Sequence, residues 1–330
     1  MTLTQLRYLV AIVDANLNIT LAAERVHATQ PGISKQLKLL EQELALQIFQ
    51  RRGKSLVQIS PEGAQIIERA RVILSEAANI RTVAANYRKD SEGELVIATT
   101  QTQALFLLPA SLKTLKARYP GVNVRLNLFS DPDRAKSAAA DADLLIASGA
   151  EPVQANAIAI PLYHWNRVAL VQPDHPLAAL GRPLQLDDLA RYPLIGYESA
   201  LGSHASVAEA FAAAGRPAEF AYAAHDTQVI KTFVQSGLGV GLLAEMASVD
   251  EPDLVRLPIE GLPTGTAYAV LKRDRVLRNY VLDFVAGLAP HLERPEIVKL
   301  ITAGRAFPAP PSWSERTRLS ERRLGLAAAA

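Results

Sequence analysis

Residues 22–52, AAERVHATQPGISKQLKLLEQELALQIFQRR, restrict what this chain can fold into more than any other stretch. They read as two short helices joined by a tight turn and followed by clustered cations. Asn18 is placed to cap a helix over residues 19 to about 26, with Ala22 and Ala23 inward, where small side chains admit a close neighbour. His27 and Ala28 supply the turn. Thr29 caps the next helix, and Pro31 falls in its first turn, where a missing N–H costs nothing. Ile33, Leu37, Leu40 and Leu44 recur at i, i+4, i+7 and i+11 as one buried stripe, leaving Gln30, Ser34, Lys35 and Lys38 opposite. Polar and cationic residues on the leading turns are what a recognition helix uses to reach base edges in a DNA groove. Thr29 and Pro31, at the tip of that helix, join the candidate DNA-facing set.

The flanks agree with this reading. Thr2 and Gln5 form a capping box that opens a helix through about residue 15, striped by Leu6, Leu9, Val10 and Val13. Residues 49–60, FQRRGKSLVQIS, predict a hairpin with Gly53 at the turn and Arg51, Arg52 and Lys54 at its tip. A basic hairpin beside a recognition helix is a wing that lies along phosphates. Ser60-Pro61 opens a long helix to about residue 88. Its stripe of Ile66, Ile67, Ala70, Ile73, Leu74, Ala77, Ile80, Val83, Ala84 and Tyr87 needs an apolar partner. Charge follows the same division. Residues 1–90 carry 12 Lys+Arg against 8 Asp+Glu, a surplus of 4. Residues 305–330 carry a surplus of 3, so a chain of net charge +2 has a middle of −5. The basic front is the part suited to a polyanion.

From Glu94 onward strand and helix patterns alternate, which predicts mostly parallel α/β sheets with helices on both faces. The polar run Thr99, Thr100, Gln101, Thr102, Gln103 follows the first strand and leads into a helix. Hydroxyls and backbone N–H groups at such a place suit an anion, and ligands of α/β sheets gather at strand carboxyl ends. The same residues equally suit plain helix capping. Gly237–Glu245, GLGVGLLAE, is not a phosphate loop, because Gly237 follows a helix and reads as its C-terminal stop. The tail from Arg305 is Pro-rich, then Arg-rich, then Ala-only, and is expected to be a flexible basic segment with a short helix around 314–326.

Several functions are excluded or disfavoured. The chain has no Cys, hence no disulfide framework, thiolate metal site or cysteine nucleophile. The six His show no metal-ligand spacing, and no G-x-S-x-G elbow accompanies Asp174-His175, so neither a metal nor catalysis is expected. The N-terminus lacks the marks of a signal peptide and no apolar run is long enough to span a bilayer, so a cytoplasmic protein without a membrane partner is expected. These features argue against a solute-binding protein and against an enzyme fused to a DNA-binding domain.

The stretch AAERVHATQPGISKQ, the L-x-x-L-E-x-E-L pattern, the Ile48-Phe49 pair with Arg51, and Ser60-Pro61-Glu62-Gly63 resemble the winged helix-turn-helix of LysR-type transcriptional regulators. Ala45 stands where that family usually has Gly, which is expected to straighten the helix end slightly. Further segments, ATTQTQALFLLP, LYHWNRVALVQPDHPLA, DTQVIKTFVQSGLGVGLLAEMA and RNYVLDFVAGLAPHL, are similar to the CysB-like branch, the regulators of cysteine biosynthesis and sulfur assimilation. The resemblance implies four parts. These are a winged helix-turn-helix over 1–60, a dimerising linker helix over 61–90, an effector domain over 91–304, and the tail over 305–330. The effector domain would comprise two periplasmic-binding-protein-like α/β subdomains, about 94–162 plus 268–304 and about 163–267, with a ligand cleft between them. It also implies promoter DNA as partner, a homodimer through the linker helix and a tetramer, and no cofactor beyond a small effector such as sulfate, thiosulfate or acetylserine. Carried over by position, Thr100, Thr102, Gln103 and Trp165 match the branch's pocket, and Ser148 replaces a Thr while keeping the hydroxyl. Gly202 stands where a pocket Thr is expected, with Ser203 beside it.

Overall fold

A computed structural model describes residues 1–53, 55–88, 91–130, 132–149, 156–198, 206–216, 218–249 and 251–323. Lys54, Gly202 and Ser203 lie outside the described residues. The chain divides into two compact units, Met1–Arg88 with Asp274–Val276, and Lys89–Arg273 with Leu277–Ala330.

The first unit runs α1 (Leu3–Asp14), α2 (Ile19–Arg25), α3 (Gln30–Leu44), β1 (Phe49–Arg52), β2 (Ser55–Ile59) and α4 (Pro61–Arg88). Its helix starts follow from the local residues. Thr2 and Gln5 make the capping box, Asn18 Oδ1 accepts from Leu21 N at 3.0 Å, and Thr29 Oγ1 accepts from Gly32 N at 3.2 Å. His27 makes the turn with φ 52°. Ile33, Leu37 and Leu40 are buried with Leu6, Leu9, Ile12, Ala22 and Phe49, whereas Leu44 is only partly buried. In α1 it is Ile12, rather than Val10 or Val13, that completes the fully buried face.

Two details depart from the sequence reading. Ala45 does not straighten the end of α3. It adopts the left-handed conformation, φ 51° and ψ 33°, and its N–H and that of Leu46 bond Gln42 O and Glu41 O. The helix stop normally made by glycine is therefore kept on alanine, at a cost of about 1–2 kcal/mol of backbone strain. The stripe on α4 is not one seam either. Ile66, Ile67, Ala70 and Leu74 pack into the N-terminal core, while Val72, Ile73, Ile80, Val83 and Tyr87 are exposed.

The second unit contains two five-stranded sheets. The first joins β3 (Glu92–Thr99), β4 (Gly121–Leu128), β5 (Leu144–Gly149), β6 (Ala157–Trp165) and β12 (Gly265–Lys272) in the order β4-β3-β5-β12-β6. The second joins β7 (Arg167–Val171), β8 (Leu194–Tyr197), β9 (Phe220–Ala224), β10 (Val240–Ala244) and β11 (Val255–Pro258) in the order β11-β7-β10-β8-β9. The chain passes from the first sheet to the second at Asn166 and returns over 259–264. In each sheet two neighbouring pairs are parallel and two antiparallel, so the sheets are evenly mixed rather than mostly parallel. The antiparallel pairs all involve strands beside the two crossings. A strand that enters one sheet directly from the other has no helical crossover to reverse it.

Both sheets are covered on two faces. Leu95 and Ile97 of β3 face a large cluster with Ile146, Ile160, Leu162 and Phe284, and the alternate residues Val96 and Ala98 join Ala142 on the other side. In the second sheet Leu194 and Leu242 face Phe211, and Ile195 and Leu243 face Ile230 and Val234. The described helices of this unit are α5 (Gln101–Phe106), α6 (Leu108–Arg118), α7 (Pro132–Ala140), α8 (Leu186–Leu189), α9 (Ser206–Ala213), α10 (Thr227–Gln235), α11 (Asn279–Leu288), α12 (Arg294–Ala303) and α13 (Trp313–Arg323). Gly237 ends α10 with φ 73°, its N–H bonded to Val234 O and that of Leu238 to Phe233 O, which is the helix stop expected there.

Over its described part the tail contains the short helix expected around 314–326, but that helix is packed against the fold. Residues 313–323 form α13, which packs on β6 and the α11–α12 corner, with Arg316 only 4% exposed. Composition misleads here because two of the arginines, Arg316 and Arg323, are paired with main-chain carbonyls of distant residues.

Candidate functional site

On the first unit, Thr29, Gln30, Pro31, Lys35 and Lys38 are exposed on α3 and Ser34 is half-buried. Gln30 Nε2 donates to Ser34 Oγ at 3.1 Å, which holds the two polar groups together on the open face. Arg51 and Arg52 are exposed on the hairpin, whose turn is made by Gly53 with φ 63°.

The seat of the hairpin is Glu41, a residue assigned no role from sequence. Its carboxylate is 9% exposed; Oε1 accepts from Ile48 N at 3.0 Å and Phe49 N at 3.3 Å, and Oε2 from Arg51 Nη2 at 2.9 Å. One edge of the Arg51 guanidinium is thereby fixed to α3, so Arg51 serves the fold as well as any anion it meets. The clue in the sequence is an acidic residue on the inner face of an otherwise apolar stripe.

In the second unit Thr100, Thr102, Gln103, Ser148 and Trp165 come together on one cavity of about 1250 Å³ between the two sheets. Thr100 follows the last residue of β3 and caps α5, its Oγ1 accepting from Gln103 N at 3.4 Å. Gln103, 4% exposed, donates from Nε2 to Ser148 Oγ at 3.0 Å and accepts at Oε1 from the Tyr163 hydroxyl at 2.5 Å. Burial pushes the Tyr163 hydroxyl far above its ordinary pKa, so it stays a donor. Capping and ligand binding are therefore compatible roles: Thr100 caps α5 while Thr102, Gln103 and Ser148 keep polar atoms at the cavity.

Trp165 ends β6, and its indole N–H is buried without an acceptor among the described residues. The ring lies so close to Gly265 that a Cβ there would stand 2.4 Å from Trp165 Cε2. Arg167 stacks on the same ring at 4.9 Å. Its guanidinium donates to Pro263 O and Ser206 Oγ, both at 3.1 Å, and has no carboxylate partner among the described residues. Burial pulls its pKa down from the ordinary value, the sign of a cation short of water and of counter-charge. Sequence reasoning missed Arg167 because it opens an apolar strand; the available signal was its place two residues after Trp165.

Across the cavity, Thr102 Oγ1 lies 3.3 Å from the Tyr197 hydroxyl, which lies 2.8 Å from Thr227 Oγ1. Gln101 Nε2 donates to Asp226 Oδ2, and Asp226 also caps α10; the Gln101 bond is the main reason the Asp226 carboxyl is held below its usual range. The first sheet's α5 and the second sheet's α10 are thus tied beside the polar end of the cavity. The remaining wall is largely apolar, with Leu128, Phe129, Leu145 and Val270. Among the described residues no group of acidic, His or Cys side chains could hold a metal, and no helix is long and apolar enough to cross a membrane.

Comparison with known proteins places these features. Residues 3–64 match the bacterial regulatory helix-turn-helix protein, lysR family, and residues 88–293 match the LysR substrate binding domain. The chain is 40% identical over 304 residues to the HTH-type transcriptional regulator CysB of Haemophilus influenzae, covering 91% of this chain and 93% of that protein. It is 35% identical to the HTH-type transcriptional regulator cbl of Escherichia coli, covering 86% and 91%. The crystal structure of the cofactor-binding domain of the Cbl transcriptional regulator superposes with a TM-score of 0.58 at 35% identity, covering 64% of this chain and 94% of that one. These relatives are regulators, not enzymes.

Proposed function

The chain belongs to the LysR family of transcriptional regulators, and we propose that it couples promoter recognition by α3 and the hairpin to a small anionic effector held in the cavity between its two sheets. The effector class is a sulfate-like oxyanion or an acetylserine-type inducer, and the regulated process is sulfur assimilation or cysteine biosynthesis. The observation that carries the reading is the set of polar groups on that cavity, Gln103 with Ser148, Thr102 and the Trp165 N–H, together with Arg167; among the described residues the Trp165 N–H has no acceptor and Arg167 no carboxylate. A volume of about 1250 Å³ exceeds what one inorganic oxyanion fills and favours an organic anion with an apolar part against Leu128 and Phe129.

On the DNA side, Gln30, Ser34 and Lys35 face bases or adjacent phosphates, and Arg51, Arg52 and Lys54 the backbone. The exposed α4 residues Ile73, Ile80, Val83 and Tyr87 would pair with a second copy, so two readers meet a dyad-symmetric site, with a tetramer as the larger assembly. The place of action is the cytoplasm, where the promoter is.

Titration calorimetry of the full chain with sulfate, thiosulfate, sulfonates and acetylserines tests the effector class. Binding of at least one, weakened by Arg167→Gln, is expected; no binding by any removes the sulfur assignment and leaves the DNA-binding one standing. Arg51→Ala should weaken binding to every DNA sequence and flatten its salt dependence. An unchanged salt slope would remove the wing contact.

A further inference from the structure

We propose that the C-terminal helix α13 acts as a positioning element of the ligand cavity: it holds Tyr163 so that a directed chain of hydrogen bonds, Tyr163 to Gln103 to Ser148, turns the Ser148 hydroxyl outward as a donor. The inference rests on the cavity taking an anionic effector and specifies what makes it select one.

The tail is fastened to the back of the site at several points. β6 is an edge strand of the first sheet, and the tail covers it, with His164 N donating to Pro311 O at 2.8 Å and Ser312 bridged to His164. Trp313 then packs edge-on against Tyr163, ring centroids 4.8 Å apart at 62°. Two arginines of α13 anchor the helix on α11. Arg316 Nε donates to Leu288 O at 3.2 Å, and Arg323 donates to Ala286 O at 3.2 Å and Leu292 O at 3.0 Å. These are carbonyls at and just past the negative end of α11, the place where a guanidinium is best received.

The direction of the chain follows from donor chemistry. The buried Tyr163 hydroxyl has Gln103 as its one hydrogen-bond partner among the described residues, so its hydrogen is satisfied only when the Gln103 oxygen faces it; an NH₂ there would leave that hydrogen buried and unspent. Gln103 is thereby fixed with its NH₂ toward Ser148 Oγ, 3.0 Å away. A serine oxygen that accepts from Gln103 keeps its own hydrogen for another partner, and Ser148 lines the cavity. That end of the cavity then presents hydrogens to a ligand. Were the Gln103 amide turned over, Ser148 would spend its hydrogen on Gln103 Oε1 and present lone pairs, which repel an anion. Tyr163 is fully buried behind the cavity wall; it decides which way Gln103 faces, and α13 holds Tyr163.

The test uses the full chain. Calorimetry with thiosulfate and acetylserine is compared for wild type, Tyr163→Phe, Trp313→Ala and Trp313→Phe, with the thermal midpoint of each as a control for folding. Tyr163→Phe keeps the ring and removes only the hydroxyl, so it decides the matter if Trp313→Ala fails to fold. An affinity loss of about tenfold, equivalent to about 1.4 kcal/mol, is expected for Tyr163→Phe and Trp313→Ala, with Trp313→Phe restoring most of it. A role in bulk stability alone would not move the side-chain amide protons of Gln103, which in Tyr163→Phe should exchange faster by nuclear magnetic resonance. Equal affinity in wild type and Tyr163→Phe, within twofold, overturns the directed chain and leaves the effector reading intact. A wild type that binds none of the anions overturns the effector reading, and the selecting role of the chain with it.

Discussion

Replacing Glu41 by Ala should unseat the hairpin from α3. The carboxylate serves two backbone donors, Ile48 N–H and Phe49 N–H, of residues that are both 0% exposed. Without it, each N–H is left buried with no acceptor, at about 1–3 kcal/mol apiece. The Phe49 bond, at 3.3 Å, belongs at the low end of that range. The ion pair to Arg51, whose side chain is 36% exposed, adds about 0–1 kcal/mol after solvent screening. The expected loss is therefore about 3–4 kcal/mol. Glu41→Gln keeps an oxygen for the two N–H groups but sets an NH₂ against Arg51, and should lose about 1–2 kcal/mol. Amide exchange of Ile48 and Phe49 reads the change directly, and urea unfolding followed by far-ultraviolet circular dichroism reads its size. Both tryptophans, Trp165 and Trp313, lie outside the first unit, so their fluorescence should stay constant and acts as an internal control. Protected Ile48 and Phe49 amides in Glu41→Ala, with unchanged stability, would refute the seating role.

Three further outcomes are expected. Ala45→Gly relieves about 1–2 kcal/mol of left-handed strain and returns about 0.4–1 kcal/mol of unfolded-chain freedom, so a net gain of about 0.5–1 kcal/mol should raise the urea midpoint of the first unit; a lowered midpoint sinks this reading. Gly265→Ala drives a methyl into the Trp165 ring, and should shift tryptophan emission and weaken effector binding together; a variant with wild-type emission shows that the ring has room. His291 is pulled down from 6.5 to about 4, first by burial and then by Arg323 and Arg316, against an opposing Glu296, and both its ring nitrogens are buried without partners among the described residues. The unfolded chain binds the proton near 6.5 and the folded chain near 4, so stability falls as pH drops between those values. His291→Gln should flatten that dependence in thermal midpoints taken at pH 7 and pH 4.5, and a midpoint loss of the same size in both proteins counts against it.

Local chemistry explains what was legible. The caps at Thr2, Asn18 and Thr29, the stop at Gly237, and the stripe Ile33-Leu37-Leu40 each depend on residues within a turn or two. The polar cavity residues were legible for a similar reason: four of them cluster between Thr99 and Gln103 on one strand-to-helix turn. What escaped was non-local. The part of β6 ahead of Leu162 contains Pro161, which disguises the strand there; an edge position tolerates it, and the pairing with β12 shifts register at that point. Glu41 stands on the inner face of the α3 stripe, but the two N–H groups it receives belong to Ile48 and Phe49, beyond the end of the helix. Arg316 and Arg323 read as solvated cations because the carbonyls that receive them, Leu288 and Ala286, lie far back in the chain.

An anion held at Thr102 and the Thr102–Tyr197 contact between the two sheets would share a hydrogen atom. Thr102, beside the first sheet, has one hydroxyl hydrogen, and Tyr197, in the second, has another. If Thr102 donates to Tyr197, none is left for an anion in the cavity. An anion that takes the Thr102 hydrogen obliges Tyr197 to donate to Thr102 instead, and Tyr197 then accepts from Thr227, 2.8 Å away. The run Thr227 to Tyr197 to Thr102 to anion keeps every bond, but only while the sheets stay together. A ligand held this way favours the closed form by roughly one hydrogen bond, about 0.5–1.5 kcal/mol, or a factor of about 2–13. Moving a population from 1:99 to 99:1 needs about 5.5 kcal/mol. Thr102 alone is therefore insufficient as a switch; the Gln101–Asp226 tie, formed without a ligand, sets where the equilibrium starts, and the Arg167 charge is the cavity group left to supply the larger differential affinity. Arg167→Gln, which removes that charge, should reduce the difference in effector affinity between DNA-bound and free protein more than Thr102→Val does. The reverse order, measured by titrating effector into both forms, would place the coupling at Thr102 after all.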